Sequence, residues 1–294
     1  MTIREALAEG RRVLALPCTS AFIDTPELDA SLLLCETLHK NREGLILCGD
    51  EPVAGPLLRE YLALLERRRS GECVAYILGR KEFRGLQFLV NEFVLVPRPD
   101  TEALLEAALE NIDAITADRE STVSVLDLCT GSGALAISLK NERPQLDVTA
   151  SDISVKALKV AKQNAANLLD NGYGAKFIKS DLFENIAGKF DIIVSNPPYV
   201  PSGEMAALAP EVRREPALAL DGGRDGLDLI RQIISQAGDY LHPNGALLLE
   251  AAPGQMPEIK ALLAKHNFSG IRICKDLAGR DRVILAMRQM ISRC

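Results

Sequence analysis

One stretch decides the fold: residues 190–199 read FDIIVSNPPY. The first six residues are mostly apolar, a pattern typical of a parallel strand that is buried on both faces. Neither Pro197 nor Pro198 has an N–H to give to a sheet ladder, and the residue before each proline is pushed to an extended conformation. The backbone therefore leaves the sheet stiffly at the carboxyl end of the strand, where open α/β sheets bind their ligands.

The residues after this strand predict a binding site for a planar NH2 group. Asn196 offers a side-chain carbonyl, and Pro197 offers a backbone carbonyl whose position two pyrrolidine rings fix. Two rigid acceptors side by side suit a group with two protons to donate. Tyr199 adds an aromatic face against which that group can lie. A Pro-Pro pair alone is typical of an ordinary turn, so the functional interpretation depends on a second motif.

From residue 123 onward, predicted strands and helices alternate, which indicates an α/β domain with a mostly parallel sheet covered on both faces. The predicted strands are residues 123–128, 147–152, 175–180, 190–195, 245–250, 270–275 and 281–287. The predicted helices are residues 101–112, 133–143, 154–170, 226–241 and 255–267. The short connection at residues 276–280 cannot hold a crossover helix, so we expect the last of seven strands to run antiparallel.

Three successive strand ends carry the residues of a nucleotide-like cofactor site. The first strand runs into residues 127–133, which read DLCTGSG. Its glycines let a ligand approach the backbone, and the following helix offers free N–H groups. The second strand ends at Asp152, which suits two ribose hydroxyls, and the third ends at Asp181 and Leu182, which suit an adenine ring. A single Gly-x-Gly is weak evidence, since position 136 is Ala where the dinucleotide fingerprint has a third glycine, but three strand ends beside the Asn-Pro-Pro-Tyr motif are more specific.

The amino-terminal third is predicted to be a small helical bundle. Apolar residues recur at helical spacing in residues 2–16, in a helix that begins at Thr25-Pro26, and in one that begins near Pro56. We expect the arginine triplet at residues 67–69 to be a solvated helix end.

A strand-like pattern follows the bundle. Apolar residues between 83 and 96 predict a β-hairpin. The predicted domains are therefore a helical domain at 1–75, a hairpin linker at 76–98 and an α/β domain at 99–294.

Composition and charge exclude several classes of protein. The chain has 294 residues, enough for two domains. Its net charge of -6 and pI of about 5.3 disfavour direct contact with nucleic acid. The seven cysteines lack CxxC spacing and the three histidines are isolated, so we expect reduced thiols, mostly packed, and no metal site. Because there is no signal-peptide core and no apolar run of about 18 residues, we expect a cytoplasmic protein without a membrane span.

Several segments match one known family. They lie at 71–72, 76–79, 82–83, 96–102, 127–133, 195–199, 215–216, 219–223 and 276–283. The most specific is VPRPDTE at 96–102, joined to a helical amino-terminal domain. With these segments the chain resembles S-adenosylmethionine-dependent methyltransferases with a seven-stranded, Rossmann-like sheet. More closely, and over nearly its whole length, it resembles the peptide chain release factor glutamine methyltransferases (the PrmC/HemK family).

The resemblance implies a cofactor, a substrate and a site. The implied S-adenosylmethionine site comprises Cys129, Thr130, Gly131, Ser132, Gly133, Asp152, Asp181, Leu182 and Asn196. The implied substrate is the glutamine of a Gly-Gly-Gln tripeptide in a release factor, methylated on its side-chain amide nitrogen (N5). The implied substrate-binding residues are Asn196, Pro197, Pro198 and Tyr199, of which Asn196, Pro197 and Tyr199 are catalytic. The helical domain would dock the release factor. Cys73 stands where the family has proline, and residues 251–254 depart from its usual turn.

We hypothesise direct in-line transfer of the sulfonium methyl group to the amide nitrogen of the glutamine. Asn196 and Pro197 would accept hydrogen bonds from both N–H groups of that amide. An amide nitrogen is a poor nucleophile because its lone pair is delocalised, and positioning can lower the barrier by roughly 7–11 kcal/mol at best. We also expect the long loop at residues 200–225 to contact substrate or cofactor. The alternatives are glutamine methylation of a ribosomal protein, amino methylation of adenine or cytosine in nucleic acid, and a cofactor-binding scaffold without activity.

Overall fold

The computed structural model describes residues 1–16, 23–118, 121–170 and 174–289. This part of the chain forms two compact units. The first contains Met1–Arg80 together with Ala207–Arg214, and the second contains Lys81–Ala206 and the chain from Glu215 onward. Two of the cysteines expected as thiols, Cys18 and Cys294, lie outside the described residues.

The first unit is a helical bundle with its own apolar core. Its helices are α1 (Ile3–Ala15), α2 (Pro26–Leu38), α3 (Arg42–Leu47), α4 (Gly55–Arg69) and α5 (Val74–Leu78). The predicted helices correspond to α1, α2 and α4, whereas α3 and α5 lie where no helix is predicted. Tyr61 of α4 fills the centre of the core because it packs over Gly10 of α1 and its hydroxyl donates to the carbonyl of Ala30 in α2. One side chain therefore ties three helices together.

The arginine triplet at the end of α4 departs at its central residue from the solvated helix end that the sequence predicts, since Arg67 is exposed but Arg68 is not. Arg68 is buried, and it pairs with Asp29 in α2 and with Glu211, at 2.6 Å each. Arg67 and Arg69 also pair with nearby glutamates. All three guanidinium groups therefore face carboxylates, which neutralise the charge that a phosphate would require.

The second unit is built on the predicted seven-stranded sheet. Within the described residues, the strands are β1 (Arg80–Phe83), β2 (Leu86–Leu89), β3 (Ser124–Leu128), β4 (Asp147–Asp152), β5 (Lys176–Lys179), β6 (Phe190–Ser195), β7 (Leu241–Glu250), β8 (Phe268–Lys275) and β9 (Asp281–Arg288). Strands β1 and β2 form a separate hairpin, and the others form one sheet in the order β5-β4-β3-β6-β7-β9-β8. Strand β9 is antiparallel to both of its neighbours, as predicted, and β3 to β7 are parallel.

Helices cover both faces of this sheet. They are α6 (Glu102–Asp118), α7 (Ala134–Glu142), α8 (Val155–Leu168), α9 (Asp228–Tyr240) and α10 (Met256–Lys265). Successive residues of a strand point to opposite faces, so Val125 and Ile192 join a core with α6 and α7, whereas Leu126 and Ile193 join a core with α9 and α10. This double burial explains the apolar runs that predict the strands.

The predicted hairpin across residues 83–96 is wrong in its second half. Arg84 and Gly85 have φ values of 53° and 76°, and this two-residue turn closes the hairpin so that β2 ends at Leu89. The valines of the segment that follows are buried, but the segment forms no strand. Its strand-like pattern reflects packing on the core and not pairing with a neighbour.

Asn164 of α8 ends the hairpin's hydrogen bonding. The buried amide accepts from the N–H of Leu89 at 2.7 Å and donates to the carbonyls of Leu89 and Ser132 at 3.0 and 2.9 Å. The side chain thus takes the place of a neighbouring strand at Leu89. It also joins the hairpin to the loop that follows β3.

We expect Asn164→Ala to lower the free energy of unfolding by about 3 kcal/mol, since three buried backbone groups lose partners at roughly 1 kcal/mol each. Chemical denaturation would measure the change. The control is Asn167→Ala, because Asn167 is exposed on the same helix and its loss should stay within about 0.5 kcal/mol. Equal effects of the two substitutions would contradict the role of Asn164.

Candidate cofactor and substrate site

The loop after β3 is held in shape by hydrogen bonds to its neighbours. The N–H of Thr130 donates to the carbonyl of Ser151 at 2.9 Å, and the Thr130 hydroxyl donates to Asp127 at 2.6 Å. Gly133 precedes α7 with a φ of 84°, and a Cβ there would lie 2.8 Å from the side chain of Ile137. Both the backbone angle and the close packing therefore require glycine.

Asp152, the last residue of β4, ties this loop to the start of α8. Its Oδ2 accepts from the N–H of Gly131 at 2.9 Å, and its Oδ1 accepts from the N–H of Ser154 at 2.8 Å. Burial raises the pKa of Asp152, although these two N–H groups act in the opposite direction. Each carboxylate oxygen has a second lone pair, so the group retains acceptor capacity for two hydroxyls.

A cavity of about 320 Å³ lies at this edge of the sheet. Of the residues predicted for the cofactor, it is lined by Cys129, Gly131, Asp152, Asp181, Leu182 and Asn196. Three others, Thr130, Ser132 and Gly133, do not line it. Of the remaining residues predicted for the substrate, Pro198 lines the cavity and Pro197 and Tyr199 do not. The structure thus places at the cavity at least one residue from each of the four strand ends identified in the sequence.

Further lining residues come from segments that the motifs do not mark. They include Phe93, Val94 and Leu95 after the hairpin, Pro216, Leu218 and Ala219 in the loop after the Asn-Pro-Pro-Tyr motif, and Leu229 and Gln232 on α9. Two features of the sequence point to these segments: the VPRPDTE stretch directly after Phe93, Val94 and Leu95, and the unusual length of the loop at residues 200–225. Neither signal identifies which apolar side chains reach the cavity.

Glu215 holds the loop that contributes to the cavity. Its buried carboxylate accepts from the N–H of Val96 at 2.9 Å and pairs with Arg98. The three lining residues of the loop follow directly after it. The Glu-Pro and Pro-Arg segments of the family pattern therefore meet in space, although 117 residues separate Arg98 from Glu215.

A buried polar network surrounds the Asn-Pro-Pro-Tyr turn. Nδ2 of Asn196 donates to the hydroxyl of Thr101 at 3.1 Å. The hydroxyl of Tyr199 donates to Oε1 of the buried Glu250 at 3.2 Å. Within the residues that the structure describes, no group donates to Oδ1 of Asn196 or to the backbone carbonyl of Pro197. The two acceptors predicted from the sequence are therefore available.

The connector before α6 brings Thr101 to this network. Pro99–Thr101 forms a short 3₁₀ helix. Its Asp100 pairs with Arg280 and Arg282 at 3.0 Å each, and these arginines lie in the turn before β9 and in β9 itself. The charged connector is thus fixed on the antiparallel end of the sheet, and this places Thr101.

Two glycines and Gln255 support the turn from behind. A Cβ on Gly222 would lie 2.8 Å from Cα of Tyr199, and one on Gly226 would lie 2.2 Å from the carbonyl oxygen of Tyr199. Gln255 donates to that carbonyl at 2.9 Å and accepts from the N–H of Ala252 at 3.0 Å. Residues 251–254, to which the sequence assigns no role, therefore form the turn that anchors Gln255.

Two buried carboxylates titrate near neutrality. Burial raises the pKa of Asp127 to about 7, and the hydrogen bond from Thr130 opposes this shift. Burial likewise raises the pKa of Glu250 to about 7, opposed by Thr101 and Arg282. Both groups therefore change charge within the range in which most enzymes are assayed.

The described residues contain no group of three or more His, Cys, Asp or Glu side chains that could hold a metal ion. A membrane-crossing helix is also absent from the described part of the chain, since none there is both long and apolar enough.

Comparisons with known proteins agree with this fold. Residues 101–215 match the family model described as methyltransferase small domain, and residues 5–79 match the PrmC N-terminal domain. The solved structure of a methyltransferase from Pyrococcus furiosus has the same fold, with a TM-score of 0.51 at 17% identity over 76% of this chain and 98% of that chain. The protein is an S-adenosylmethionine-dependent methyltransferase.

Similar proteins of known name identify the family of methyltransferases to which the chain belongs. A release factor glutamine methyltransferase from Deinococcus radiodurans is 38% identical over 98% of this chain and 99% of its own length. Another from Agrobacterium fabrum is 39% identical over 97% of this chain and 96% of its own length. The chain belongs to the release factor glutamine methyltransferase family, which confirms the resemblance seen in its motifs.

We expect stability to depend on pH through Asp127. Its pKa is about 7 in the folded protein against an ordinary aspartate value of 3.8, so between these values the folded state keeps a proton that the unfolded chain has released. Its contribution to stability is present below about pH 4, falls by up to about 1.4 kcal/mol per pH unit as pH rises, and is lost above about pH 7.

Denaturation of wild type and Asp127→Asn from pH 4 to 8 would measure this contribution. The variant cannot ionise, so it should gain stability relative to wild type across the window. The control is Asp147→Asn, which changes an exposed aspartate. Parallel curves for wild type and Asp127→Asn would show that Asp127 does not titrate in this range.

We expect Gly226→Ala to cost about 3 kcal/mol of stability, because a strained φ adds about 1 kcal/mol and the clash with the Tyr199 carbonyl adds about 2. Thermal or chemical unfolding would measure the loss. Gly188→Ala is the matched control, since Gly188 also has a positive φ of 88° but nothing lies within 4 Å of a Cβ there. Similar losses in both variants would argue against the contact behind the turn.

Proposed function

We propose that this enzyme transfers the methyl group of S-adenosylmethionine to the side-chain amide nitrogen of the glutamine in the Gly-Gly-Gln tripeptide of peptide chain release factors. The observation that carries the proposal is the pair of available acceptors: Oδ1 of Asn196, which lines the cavity, and the backbone carbonyl of the next residue, Pro197. The shared name of the relatives supports a release factor as substrate.

The side chains around the cavity fit the cofactor. Gly131 has a φ of 56° and a Cβ there would meet no atom within 4 Å, so the backbone is open to a ligand. Asp152 keeps acceptor capacity for ribose hydroxyls, and Leu182 and Phe93 offer apolar surface for an adenine ring. Bound there, S-adenosylmethionine would supply an electrophilic methyl group on its sulfonium, with S-adenosylhomocysteine as the leaving group. The amide nitrogen that gains the methyl group loses one of its two protons to water.

We assign the cofactor site to the residues named from the sequence: Cys129, Thr130, Gly131, Ser132, Gly133, Asp152, Asp181, Leu182 and Asn196. Within this set, Thr130, Ser132 and Gly133 act by shaping the loop. Burial raises the pKa of the Cys129 thiol to about 12. The thiol therefore stays protonated and does not compete as a nucleophile.

The chain's own contribution to catalysis is positioning. Asn196 and Pro197 each accept a hydrogen bond from one of the two N–H groups of the substrate amide. These two hydrogen bonds orient the amide nitrogen and increase its electron density. Positioning of this kind can lower a barrier by roughly 7–11 kcal/mol. Pro198 stiffens the turn, and Tyr199, held by Glu250 at 3.2 Å, supplies the flat surface beside the amide.

We propose that the helical unit docks the release factor. It has its own core and includes Ala207–Arg214, a segment that follows the Asn-Pro-Pro-Tyr motif in the chain. We keep the division into a docking domain at 1–75, a hairpin linker at 76–98 and a catalytic domain at 99–294 as a proposal. The compact helical unit extends it to Arg80.

The acidic composition and the neutralised arginine triplet disfavour a nucleic-acid substrate. We also propose a cytoplasmic location, which agrees with cysteines that form no disulfide in the described part of the chain.

The deciding experiment incubates the enzyme with labelled S-adenosylmethionine and, separately, a release factor, ribosomal proteins and DNA. We expect a mass increase of about 14 Da on the Gly-Gly-Gln glutamine, and no label when that glutamine is replaced by alanine. Label on ribosomal protein or DNA alone would keep the class of enzyme and overturn the substrate.

We expect Asn196→Ala to lower the turnover number roughly 100-fold, because the substrate amide loses one of two fixed acceptors. The dissociation constant of S-adenosylmethionine, measured by calorimetry, should change less than about threefold. Asn167→Ala, exposed on α8, should leave both values unchanged. Unchanged turnover in Asn196→Ala would remove this residue from the mechanism.

A further inference from the structure

We propose, on the basis of the proposed function, that Arg68 and Glu211 are positioning residues that act on the cofactor and substrate sites through the loop at residues 200–225. Both residues belong to the first compact unit, and no residue of that unit lines the cavity. The tip of the loop, Ala207–Arg214, belongs to the first unit, whereas the residues on either side of the tip belong to the second. The loop therefore carries the effect of the ion pair to the site.

An ion pair holds the tip of the loop on the helical bundle. Oε2 of Glu211 lies 2.6 Å from Nη2 of Arg68, whose side chain is only 5% exposed. The other carboxylate partner of Arg68 is Asp29, also at 2.6 Å. A buried charge is costly when one of its partners is removed. The pair with Glu211 therefore opposes any displacement of the tip from the bundle.

The chain passes from the first unit into the second between Arg214 and Glu215. Both residues are anchored. Arg214 donates to the carbonyl of Ser70 in the first unit. The buried Glu215 accepts from the N–H of Val96 and pairs with Arg98 in the second unit. Because two neighbouring residues are fixed in this way, the chain has no slack between the tip and the segment that follows it.

The segment after Glu215 is stiff and forms one wall of the cavity. Pro216, Leu218 and Ala219 line the cavity. The ring of Pro216 fixes its φ angle. The carbonyl of Pro216 accepts from the N–H of Ala219 at 2.9 Å, in a short 3₁₀ helix at Ala217–Ala219. A displacement at Glu215 is therefore passed on to the wall.

The wall is also joined to the Asn-Pro-Pro-Tyr turn. The N–H of Val200, the residue after Tyr199, donates to the carbonyl of Leu220 at 2.9 Å. The carbonyl of Val200 accepts from the N–H of Gly222 at 2.8 Å. The position of the wall therefore affects the turn that carries the two acceptors for the substrate amide, as well as the cofactor cavity.

The competing role for Glu211 is direct contact with the release factor, because its side chain is 38% exposed. The two roles predict different kinetics. A loss of positioning changes kcat and the affinity for S-adenosylmethionine. The loss of a docking contact changes only the KM for the release factor.

The first test observes the wall without substrate or cofactor. The natural chain has no tryptophan, so Leu218→Trp introduces a single fluorescent reporter at a wall position that is 59% exposed. We expect Glu211→Gln and Arg214→Met to increase the nanosecond motion of this reporter, seen as a lower residual anisotropy. Equal anisotropy in the parent and in both variants would overturn the proposal.

Two matched substitutions are the controls. Glu66→Gln removes a carboxylate that pairs with Arg69 of the same arginine triplet at 3.3 Å but lies outside the loop. Arg213→Met removes the exposed arginine next to Arg214, which pairs with no carboxylate in the described part of the chain. Both controls should keep the reporter anisotropy and the dissociation constant of S-adenosylmethionine. Changes as large as those in Glu211→Gln would overturn the specific role of the ion pair.

The second test measures binding and kinetics without the reporter. We expect Glu211→Gln to raise the dissociation constant of S-adenosylmethionine about fivefold, measured by calorimetry in the absence of a release factor. The kcat for methylation of the release factor should fall about tenfold. A higher KM for the release factor, with kcat and the dissociation constant of S-adenosylmethionine unchanged, would make Glu211 a docking residue and overturn its positioning role.

Unfolding curves establish that the variants are folded. Arg68 keeps its partner Asp29 in Glu211→Gln, and Arg214→Met tests the same loop through its second anchor.

Methylation by the wild type separates the two proposals. Changed anisotropy and a changed dissociation constant in the loop variants, with no methylation of a release factor by wild type, would support the positioning role and overturn the proposed function. Methylation by wild type, with neither change in the variants, would overturn the positioning role alone.

Discussion

The register of the parallel strands is the constraint on which the site depends. Leu128 at the end of β3 pairs with Ser151 in β4 and with Ser195 in β6. Parallel strands in register end at the same edge of the sheet. The register alone therefore brings together the loop after β3, the carboxylate of Asp152 and the amide of Asn196. A slip of one residue would turn each strand's core residues to the opposite face.

The edge of the sheet alone does not fix the side chains that meet at it. Hydrogen bonds from polar side chains do so: Asp152 binds the N–H of Gly131, Asn164 binds the carbonyl of Ser132, and Thr101 binds the amide of Asn196. A buried polar group without a partner is costly, so each of these contacts allows one arrangement. Rigidity at the site therefore comes from hydrogen bonds that must be made and not from packing alone.

The same burial changes the chemistry of the carboxylates. Asp127 and Glu250 are removed from water, and the pKa of each rises to about 7 because the charged form loses hydration. Exposed carboxylates of the same chain that pair with arginine, such as Asp225, have a lowered pKa instead. The site thus holds the acids whose charge is most easily changed, next to the loop and the turn that form it.

The amino-acid sequence by itself determined the alternating α/β order, the antiparallel last strand and the residues of the Asn-Pro-Pro-Tyr turn. These features are local, because they follow from apolar runs, short connections and the missing N–H of proline. The sequence misjudged Arg68 and the second half of the hairpin, since Asp29 and Asn164 satisfy them from distant positions. Only the tertiary structure decided that Thr101 meets Asn196 and that Glu250 meets Tyr199. These contacts depend on how the connector and β7 pack, and no local pattern encodes contacts between residues so far apart in the chain.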